Sequence, residues 1–309
     1  MKPKLSPPIA FMALLILGTI WGSTILLAKH IVSTGHGALG LTFWQMTIGA
    51  VILTVVGWIR RSPLPISLKD IKFYIILALI GTLIPNSISY TVAAHLPAGL
   101  MALTLATVPM FALMIALGLG SEKPQLGRIF GICLGGVAML ILLGPKTSLP
   151  SASMTIWVLI ALVAPLCYGI EGNYLVRATP THMNALNALR GASIVGALIA
   201  GPIAFATGNW VSLDTHWTSV EWGILLNSLL HVITYGAYIW LVGRTGAVFA
   251  SQVAYIVTLS GVFLGMIVFG EQHSTLVWLA LTLMMVGLAM VQPKEAKSEA
   301  ESEIITNSQ

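Results

Sequence analysis

The chain has 309 residues, of which 57% are hydrophobic and 8% carry a charged side chain, and its mean hydropathy is +0.91. Soluble globular proteins contain about 25% charged residues, so this composition excludes a soluble domain and indicates an integral membrane protein. The formal net charge of +5 does not indicate a nucleic-acid partner, because the basic residues lie in short clusters between apolar runs.

Those apolar runs are about 20 residues long, the length at which an α-helix crosses the hydrocarbon core of a bilayer. A helix is favoured there because it satisfies its own backbone donors and acceptors. The sequence therefore predicts an all-α polytopic membrane protein with ten transmembrane helices in the lipid bilayer. In chain order they are expected near residues 9–28, 38–59, 72–93, 97–119, 126–143, 154–176, 184–206, 220–242, 247–269 and 275–292.

The two ends of the chain differ in composition. The run at 9–28 is long for a signal peptide and is followed by Lys29 and His30 without a small-residue cleavage site, so we expect a retained first helix. After Pro293 the sequence becomes charged, small and polar, which predicts a disordered tail over 294–309. We expect Cys133 and Cys167, both inside predicted helices, to be buried free thiols.

The basic residues predict an orientation. If the N-terminus is cytoplasmic, the opposite side receives only Lys29 and Lys146, and Arg190 lies inside a helix. The cytoplasmic segments then hold Lys2, Lys4, Arg60, Arg61, Lys69, Lys72, Lys123, Arg128, Arg177, Arg244, Lys294 and Lys297. Such a bias sets membrane orientation. It predicts that both termini are cytoplasmic. We expect the membrane to be the cytoplasmic (bacterial inner) membrane.

The predicted helices divide into two groups of five. At an offset of 149 residues, the separation of Glu122 and Glu271, Ala98 coincides with Ala247. Each half ends in a helical hairpin whose turn begins with one of the two glutamates. Because five is odd, the second half enters the membrane inverted, which places Glu122 at the cytoplasmic face and Glu271 at the outer face. We therefore predict one repeat over 1–146 and an inverted repeat over 147–293. Inverted repeats are typical of secondary transporters.

Three segments carry a resemblance to a known family. They are IWGSTILLAK at 20–29, GSEKPQLGRIFGICLGGVAMLIL at 120–142 and VFGEQHSTLVWLALTLMMVGLAMV at 268–291. With them, residues 9–292 resemble the drug/metabolite transporter superfamily, in the branch with two EamA-type repeats. The resemblance implies a secondary transporter that moves a small metabolite, such as an amino acid or a related solute, by alternating access and in the export direction. An uptake permease or a drug-efflux carrier of the same fold is an alternative.

The energy source follows from a missing motif. The sequence contains no G-x-x-x-x-G-K-[ST] loop for nucleotide phosphates, so transport would use an ion gradient or the gradient of the substrate itself. The expected partners are a small-molecule substrate and protons, with no nucleic acid, and we expect no cofactor, no metal and no enzymatic activity.

One acid lies inside a predicted helix. Glu171 is near the middle of the sixth helix, close to Asn173, and is not part of the general repeat pattern of the family. Ionisable groups in membrane helices face protein or a water-filled cavity and mark functional sites. Glu171 is therefore a candidate contact for a substrate amine or a proton-coupling carboxylate. The alternative is a protonated or paired glutamate that serves helix packing.

Two polar stripes occupy equivalent positions of the two halves. Asn227, His231 and Tyr235 are spaced by four residues and share one helical face, and Thr82, Asn86 and Tyr90 do the same. We expect the stripes to face each other across a central cavity, where His231 joins Glu171 in proton coupling. The alternative is interhelical hydrogen bonding that holds the helices together.

The resemblance adds further candidates. In the family, helices 1, 3, 4, 6, 8 and 9 surround the substrate cavity, which implies that Trp21, Gln252 and Tyr255 line it. Arg190 is expected to extend to the cytoplasmic interface or else to contact an anionic substrate. An intramembrane serine hydrolase that pairs Ser193 with His231 is a rival of another class, based on a short G-x-S sequence.

Two backbone features complete the prediction. Gly127, Gly131 and Gly135 form a ridge of small residues that favours close helix packing within the monomer. Pro85, Pro109 and Pro165 lie within predicted helices and are expected to kink them.

Overall fold

The computed structural model describes residues 7–32, 35–143, 154–213 and 217–291, and the regular elements in these ranges are helices. In chain order they are α1 (Pro7–Val32), α2 (Ala38–Ile59), α3 (Leu68–Ala78), α4 (Ile84–Ala93), α5 (Ala98–Leu105), α6 (Val108–Gly118), α7 (Leu126–Leu143), α8 (Met154–Ala161), α9 (Val163–Ala178), α10 (Ala185–Ala206), α11 (Ser219–Thr245), α12 (Ala247–Ala250), α13 (Val253–Phe269) and α14 (Thr275–Val291). The predicted all-α membrane architecture is confirmed. Within the described ranges, seven helical segments are long and apolar enough to cross a membrane, and three shorter apolar helices accompany them.

Prolines coincide with breaks in three of the predicted helices. A π-helical turn at Leu79–Leu83 separates α3 from α4, residues 106–107 separate α5 from α6, and Leu162 separates α8 from α9. Pro85, Pro109 and Pro165 each lie within the first three residues after a break. A proline is tolerated there because the first amides of a helix have no intrahelical acceptor. The expected interruptions are therefore present.

Local capping sets several helix ends. At the start of α3 the Ser67 amide donates to Asp70 Oδ2 at 3.0 Å, and the Asp70 amide donates to Ser67 Oγ. Thr218 and Glu221 form the same reciprocal arrangement at the start of α11. Such capping boxes satisfy amides that the helix leaves without partners. Gly270, with φ of 65°, ends α13 in the left-handed region that glycine adopts at low cost.

The packing interleaves the two halves of the chain. α1 packs against α11 and α13, α2 against α10, α5 against α13, and α6 against α9, so the core lies between the halves. The hairpin helices α7 and α14 pack against each other. The glycine ridge of α7 takes part in this packing. The Gly131 carbonyl oxygen occupies the space that a Cβ atom on Gly287 of α14 would need. Gly135 of the same ridge meets Met110 of α6.

Some predictions need correction or lie outside the described residues. Cys167 is buried as expected, but the prediction is wrong for Cys133, which is exposed on α7. The Arg190 guanidinium donates to the Ser62 carbonyl beyond the end of α2 at 3.3 Å, which is the direction of the expected interface. The boundary at 146/147 and the tail at 294–309 fall outside the described ranges.

Candidate functional site

A cavity of about 110 Å³ lies at the centre of the helix bundle. Its walls come from α1, α2, α4, α5 and α6 of the first half and from α8, α9, α11 and α13 of the second. One ordered water needs a cavity of at least about 10–15 Å³ on the same measure. This cavity therefore has room for several waters or for a small ligand of similar volume. Its position between the halves makes it the candidate site.

One wall of the cavity is a hydrogen-bonded row of polar side chains. Tyr168 of α9 donates to Asn86 Oδ1 at 3.1 Å, and Asn86 of α4 donates through Nδ2 to Gln45 Oε1 of α2. Since both atoms of the Asn86 amide are engaged, its orientation is fixed. Three helices from both halves therefore meet in one polar wall whose groups are held in place before any ligand binds.

The two predicted polar stripes meet at this cavity. Asn227 of α11 donates through Nδ2 to the Tyr90 hydroxyl of α4 at 2.8 Å, and His231 follows one turn along α11. Asn227 Oδ1 and His231 Nε2 are buried, and within the described part of the chain neither has a hydrogen-bond partner. A buried polar atom without a partner costs about 1–3 kcal/mol. Both residues line the cavity, so the two unsatisfied atoms lie close to it.

An aromatic group surrounds Trp21 in α1. The ring centroid of Trp21 lies 6.3 Å from that of Tyr168, 5.6 Å from Tyr238 and 6.5 Å from Tyr235. Trp21, Tyr168 and Tyr238 all line the cavity. Aromatic faces pack against apolar groups and attract cations. The cavity thus offers an aromatic surface beside its polar wall.

Glu171 lies behind this surface and is 1% exposed. The Tyr235 hydroxyl donates to its Oε1 at 2.6 Å, while its Oε2 has no hydrogen-bond partner among the described side chains. Tyr235 in turn contacts the ring of His231, with centroids 5.2 Å apart. Neither Glu171 nor Tyr235 is a lining residue. The carboxyl group is therefore linked to the cavity through one tyrosine.

The π-helical turn makes room for this pair. A Cβ atom on Gly81 would overlap the Tyr235 hydroxyl and lie 3.1 Å from Cδ of Glu171. The chain at Leu79–Leu83 therefore approaches Glu171 and Tyr235 as closely as a backbone without a side chain allows. π-Helical turns inside α-helices are frequent at functional sites.

The other candidate residues lie away from the cavity surface. Asn173 donates to the carbonyls of Ala112 and Gly169, both at 2.9 Å, and so joins α9 to α6. Gln252 is at the break between α12 and α13, and Tyr255 is on α13; neither lines the cavity. Ser193 faces Gly49 of α2, and no described hydrogen bond joins it to the imidazole Nε2 of His231.

Sequence reasoning did not place Gln45, Tyr168 or Tyr238 among the site residues, although all three line the cavity. Gln45 is a polar residue inside an apolar run, and Tyr238 continues the spacing of Tyr235 by one turn. Both are signals that the sequence contains. The predicted lining residues Trp21, Asn86, Tyr90 and His231 are at the cavity surface.

Comparisons with known proteins give consistent results. The chain is 25% identical over 279 residues to the "uncharacterized transporter YoaV" of Bacillus subtilis (strain 168), covering 88% of this chain and 92% of that protein. It is 26% identical over 286 residues to the "uncharacterized inner membrane transporter YedA" of Escherichia coli (strain K12), covering 91% and 90%.

A solved crystal structure shares the fold, with a TM-score of 0.62 at 16% identity over 93% of this chain and 98% of the other. The family model of the EamA-like transporter family matches twice, at residues 8–144 and 155–292. Because these two matches account for most of the sequence, the chain belongs to the EamA-like transporter family.

Proposed function

We propose that this membrane transporter is a secondary transporter that moves a small neutral or zwitterionic metabolite, an amino acid or a related solute, by alternating access. The observation that carries the proposal is the central cavity, which lies between helices of both family-matched halves and is lined by Asn227 and His231, each with a buried polar atom that has no described partner. A site at the interface of two repeats is accessible to each membrane face in turn when one repeat moves against the other.

The proposed architecture is ten transmembrane helices in two inverted repeats, with both termini cytoplasmic. Seven long spans and three shorter apolar helices lie at the ten predicted positions, which supports the number. The two family matches support the division into halves. The distribution of lysine and arginine in the sequence supports the orientation. The printed name of YedA supports an inner-membrane location.

The lining residues favour a particular substrate chemistry. Among the described side chains of the cavity wall there is no Lys, Arg, Asp or Glu, so an anion finds no charged partner there. The lining residues include amide, phenol and imidazole groups together with apolar side chains such as Met101, Leu105 and Val257. A solute that has both a hydrogen-bonding part and an apolar or aromatic part matches this mixed lining. Aromatic and aliphatic amino acids have this character.

Glu171 and His231 are the proposed proton-coupling residues. Glu171 is buried with one oxygen engaged and the other without a described partner, and no described basic side chain forms an ion pair with it. Such a carboxyl group is able to take up and release a proton without breaking a salt bridge. Tyr235 connects it to His231 at the cavity surface. Intramembrane acids of this kind act in proton relays of transporters.

The test begins with binding and continues with flux. Purified protein is screened by thermal shift against a panel of amino acids and related solutes, and solutes that raise the melting temperature are offered to inverted membrane vesicles. Accumulation inside inverted vesicles supports export, because their interior corresponds to the cell exterior. Accumulation only in right-side-out vesicles would instead establish uptake. A folded protein that moves none of the panel would overturn the proposal.

A further inference from the structure

A buried contact joins the two halves at the predicted outer end of the cavity. The Ala98 amide donates to Glu271 Oε1 at 2.6 Å, and the Gly99 amide donates to Glu271 Oε2 at 2.9 Å. These are the first two amides of α5, which have no acceptor within their own helix. Glu271 belongs to the connection between α13 and α14, and its side chain is 9% exposed. One carboxylate thus caps a helix of the other half.

Local sequence does not explain this cap. Helices are ordinarily capped by a Ser, Thr, Asp or Asn at the preceding position, but the residue before α5 is Pro97, which provides no side-chain acceptor. The acceptor comes from a residue 173 positions away. The amides of α5 are therefore satisfied by Glu271 only while the 270–274 connection lies against them. The negative charge is also favoured at this end of the helix dipole.

A second contact reinforces the first. Lys29, in the last turn of α1, donates through Nζ to the Leu96 carbonyl at 2.7 Å, and its charge acts on Glu271. Leu96 and Ala98 are fully buried. Three elements from both halves, α1, the 94–97 connection and the 270–274 connection, therefore meet at one charged cluster.

Glycines allow the close approach. A Cβ atom on Gly265 would lie 2.8 Å from Glu271 Oε2, and one on Gly99 would overlap the imidazole of His273. A side chain at position 265 would therefore press on the carboxylate, and one at position 99 would displace the imidazole beside it. Glycine at these positions of α13 and α5 thus leaves the space in which Glu271 and His273 lie against α5.

The cluster lies one turn beyond the cavity wall on three elements. Ala28, Val92 and Met101 line the cavity. Lys29 follows Ala28 directly, Leu96 is one turn after Val92, and Ala98 is one turn before Met101. The contacts of Glu271 and Lys29 therefore lie at the end of the cavity that is nearest to the 94–97 and 270–274 connections.

The glutamate of the first half, Glu122, has a different partner from Glu271. Glu122, which coincides with Glu271 at the repeat offset, pairs with Arg128 in its own hairpin at 2.9 Å and is 32% exposed. The position that corresponds to Ala98 is Ala247, at the start of α12. The acid is engaged across the halves at one end of the cavity and engaged within its own half at the other. Contacts across the halves are present at this end as well, where Arg177 donates to the Leu119 carbonyl and to Ser121 Oγ, so the asymmetry concerns the two glutamates.

We propose that Glu271 and Lys29 are positioning residues that latch the predicted outer end of the cavity, and that the hydrogen bonds of Glu271 to the Ala98 and Gly99 amides, which cross between the halves, must release before the cavity opens there. Lys29 is held by the Leu96 carbonyl of its own half and acts on Glu271 through its charge. The proposal rests on the proposed alternating-access function. No described hydrogen bond joins Glu271 or Lys29 to Gln45, Asn86 or Tyr168 of the polar wall, so they act on the opening of the cavity rather than on the substrate.

The experiment measures cavity access directly. In a chain with Cys133→Ser and Cys167→Ser, the substitution Met101→Cys places one thiol at the cavity surface beside the latch. A membrane-impermeant maleimide is applied to intact spheroplasts and, separately, to inverted vesicles. Glu271→Gln is expected to raise labelling from the latched side about tenfold, since loss of one charged cap shifts a two-state equilibrium by that order. The matched variant Glu122→Gln is expected to leave this labelling unchanged or lower it.

Two further readouts separate the outcomes. Lys29→Met, which removes the contact to Leu96, must also raise labelling, and it decides the question if size-exclusion chromatography shows that Glu271→Gln does not fold. Unchanged labelling in a folded variant overturns the latch. The assay needs no substrate, so raised labelling in a protein that moves no solute supports the latch and contradicts the transport proposal. Solute flux in a protein whose labelling is unchanged by the substitutions supports the transport proposal and contradicts the latch.

Discussion

The Tyr235 hydroxyl donates a 2.6 Å hydrogen bond to Oε1 of Glu171, and this contact joins α11 to α9 behind the cavity wall. The second carboxyl oxygen has no partner among the described residues. Tyr235 also packs against the rings of His231 and Trp21, which line the cavity. Under the proposed coupling role, Tyr235 is the side chain through which hydrogen bonding at Glu171 reaches the residues that line the cavity.

Glu171→Gln is expected to abolish the dependence of flux on a pH gradient while leaving exchange of solute down its own gradient. The amide keeps the size of the side chain but does not cycle a proton. Tyr235→Phe removes only the hydrogen bond and is expected to alter the pH dependence without abolishing it. Flux into proteoliposomes with and without an imposed pH gradient is the measurement, and a pH dependence that persists in Glu171→Gln would exclude the coupling role.

Gly81→Ala is expected to destabilise the protein, because the new methyl group would overlap the Tyr235 hydroxyl. Overpacking of a core costs about 1–3 kcal/mol, which is measured as a lowered melting temperature in detergent. Gly136→Ala is the control, since a Cβ atom on Gly136 meets open space. Addition of Tyr235→Phe to Gly81→Ala should restore part of the stability. Equal melting temperatures for the Gly81 and Gly136 variants would contradict the close approach.

The Tyr90–Asn227 contact is expected to couple the two halves energetically. Tyr90→Phe and Asn227→Ala each remove the 2.8 Å hydrogen bond, so the double variant should be less destabilised than the sum of the single variants. Contacting residues show coupling of about 0.5–3 kcal/mol. The cycle is measured from unfolding free energies in detergent. Strict additivity would mean that the two stripes do not interact in solution.

His273, in the connection between α13 and α14, gives the stability a dependence on pH. Burial lowers its pKa below the ordinary value of about 6.5, and the nearby Glu271 raises it by less. The unfolded chain then binds a proton at His273 more readily than the folded chain does. The free energy of unfolding is therefore highest above the unfolded pKa, and it falls as the pH drops from the unfolded pKa towards the lower folded pKa. His273→Gln should reduce the loss of melting temperature between pH 7.5 and pH 5.5. The same loss in both proteins would contradict this.

Periodicity predicted the polar stripes because their residues repeat every four positions on one helix. Asn86, Tyr90, Asn227 and His231 therefore could be placed at the cavity from sequence. Asn173 could not be placed, since its amide serves a contact between α9 and α6 that only the packing determines. Glu271 caps α5 from 173 positions away along the chain, and neither residue spacing nor composition predicts a contact at that separation. The turn at Gly81 likewise depends on Tyr235 from the other half.

Flux through the central cavity is tested most directly by counterflow in proteoliposomes, with a solute identified by thermal shift. Trp21→Ala removes the aromatic centre of the cavity, and Trp222→Ala removes the same side chain from an outward position that is 59% exposed. We predict that Trp21→Ala lowers counterflow at least tenfold and that Trp222→Ala retains it. Equal counterflow in the two variants would contradict transport through this cavity.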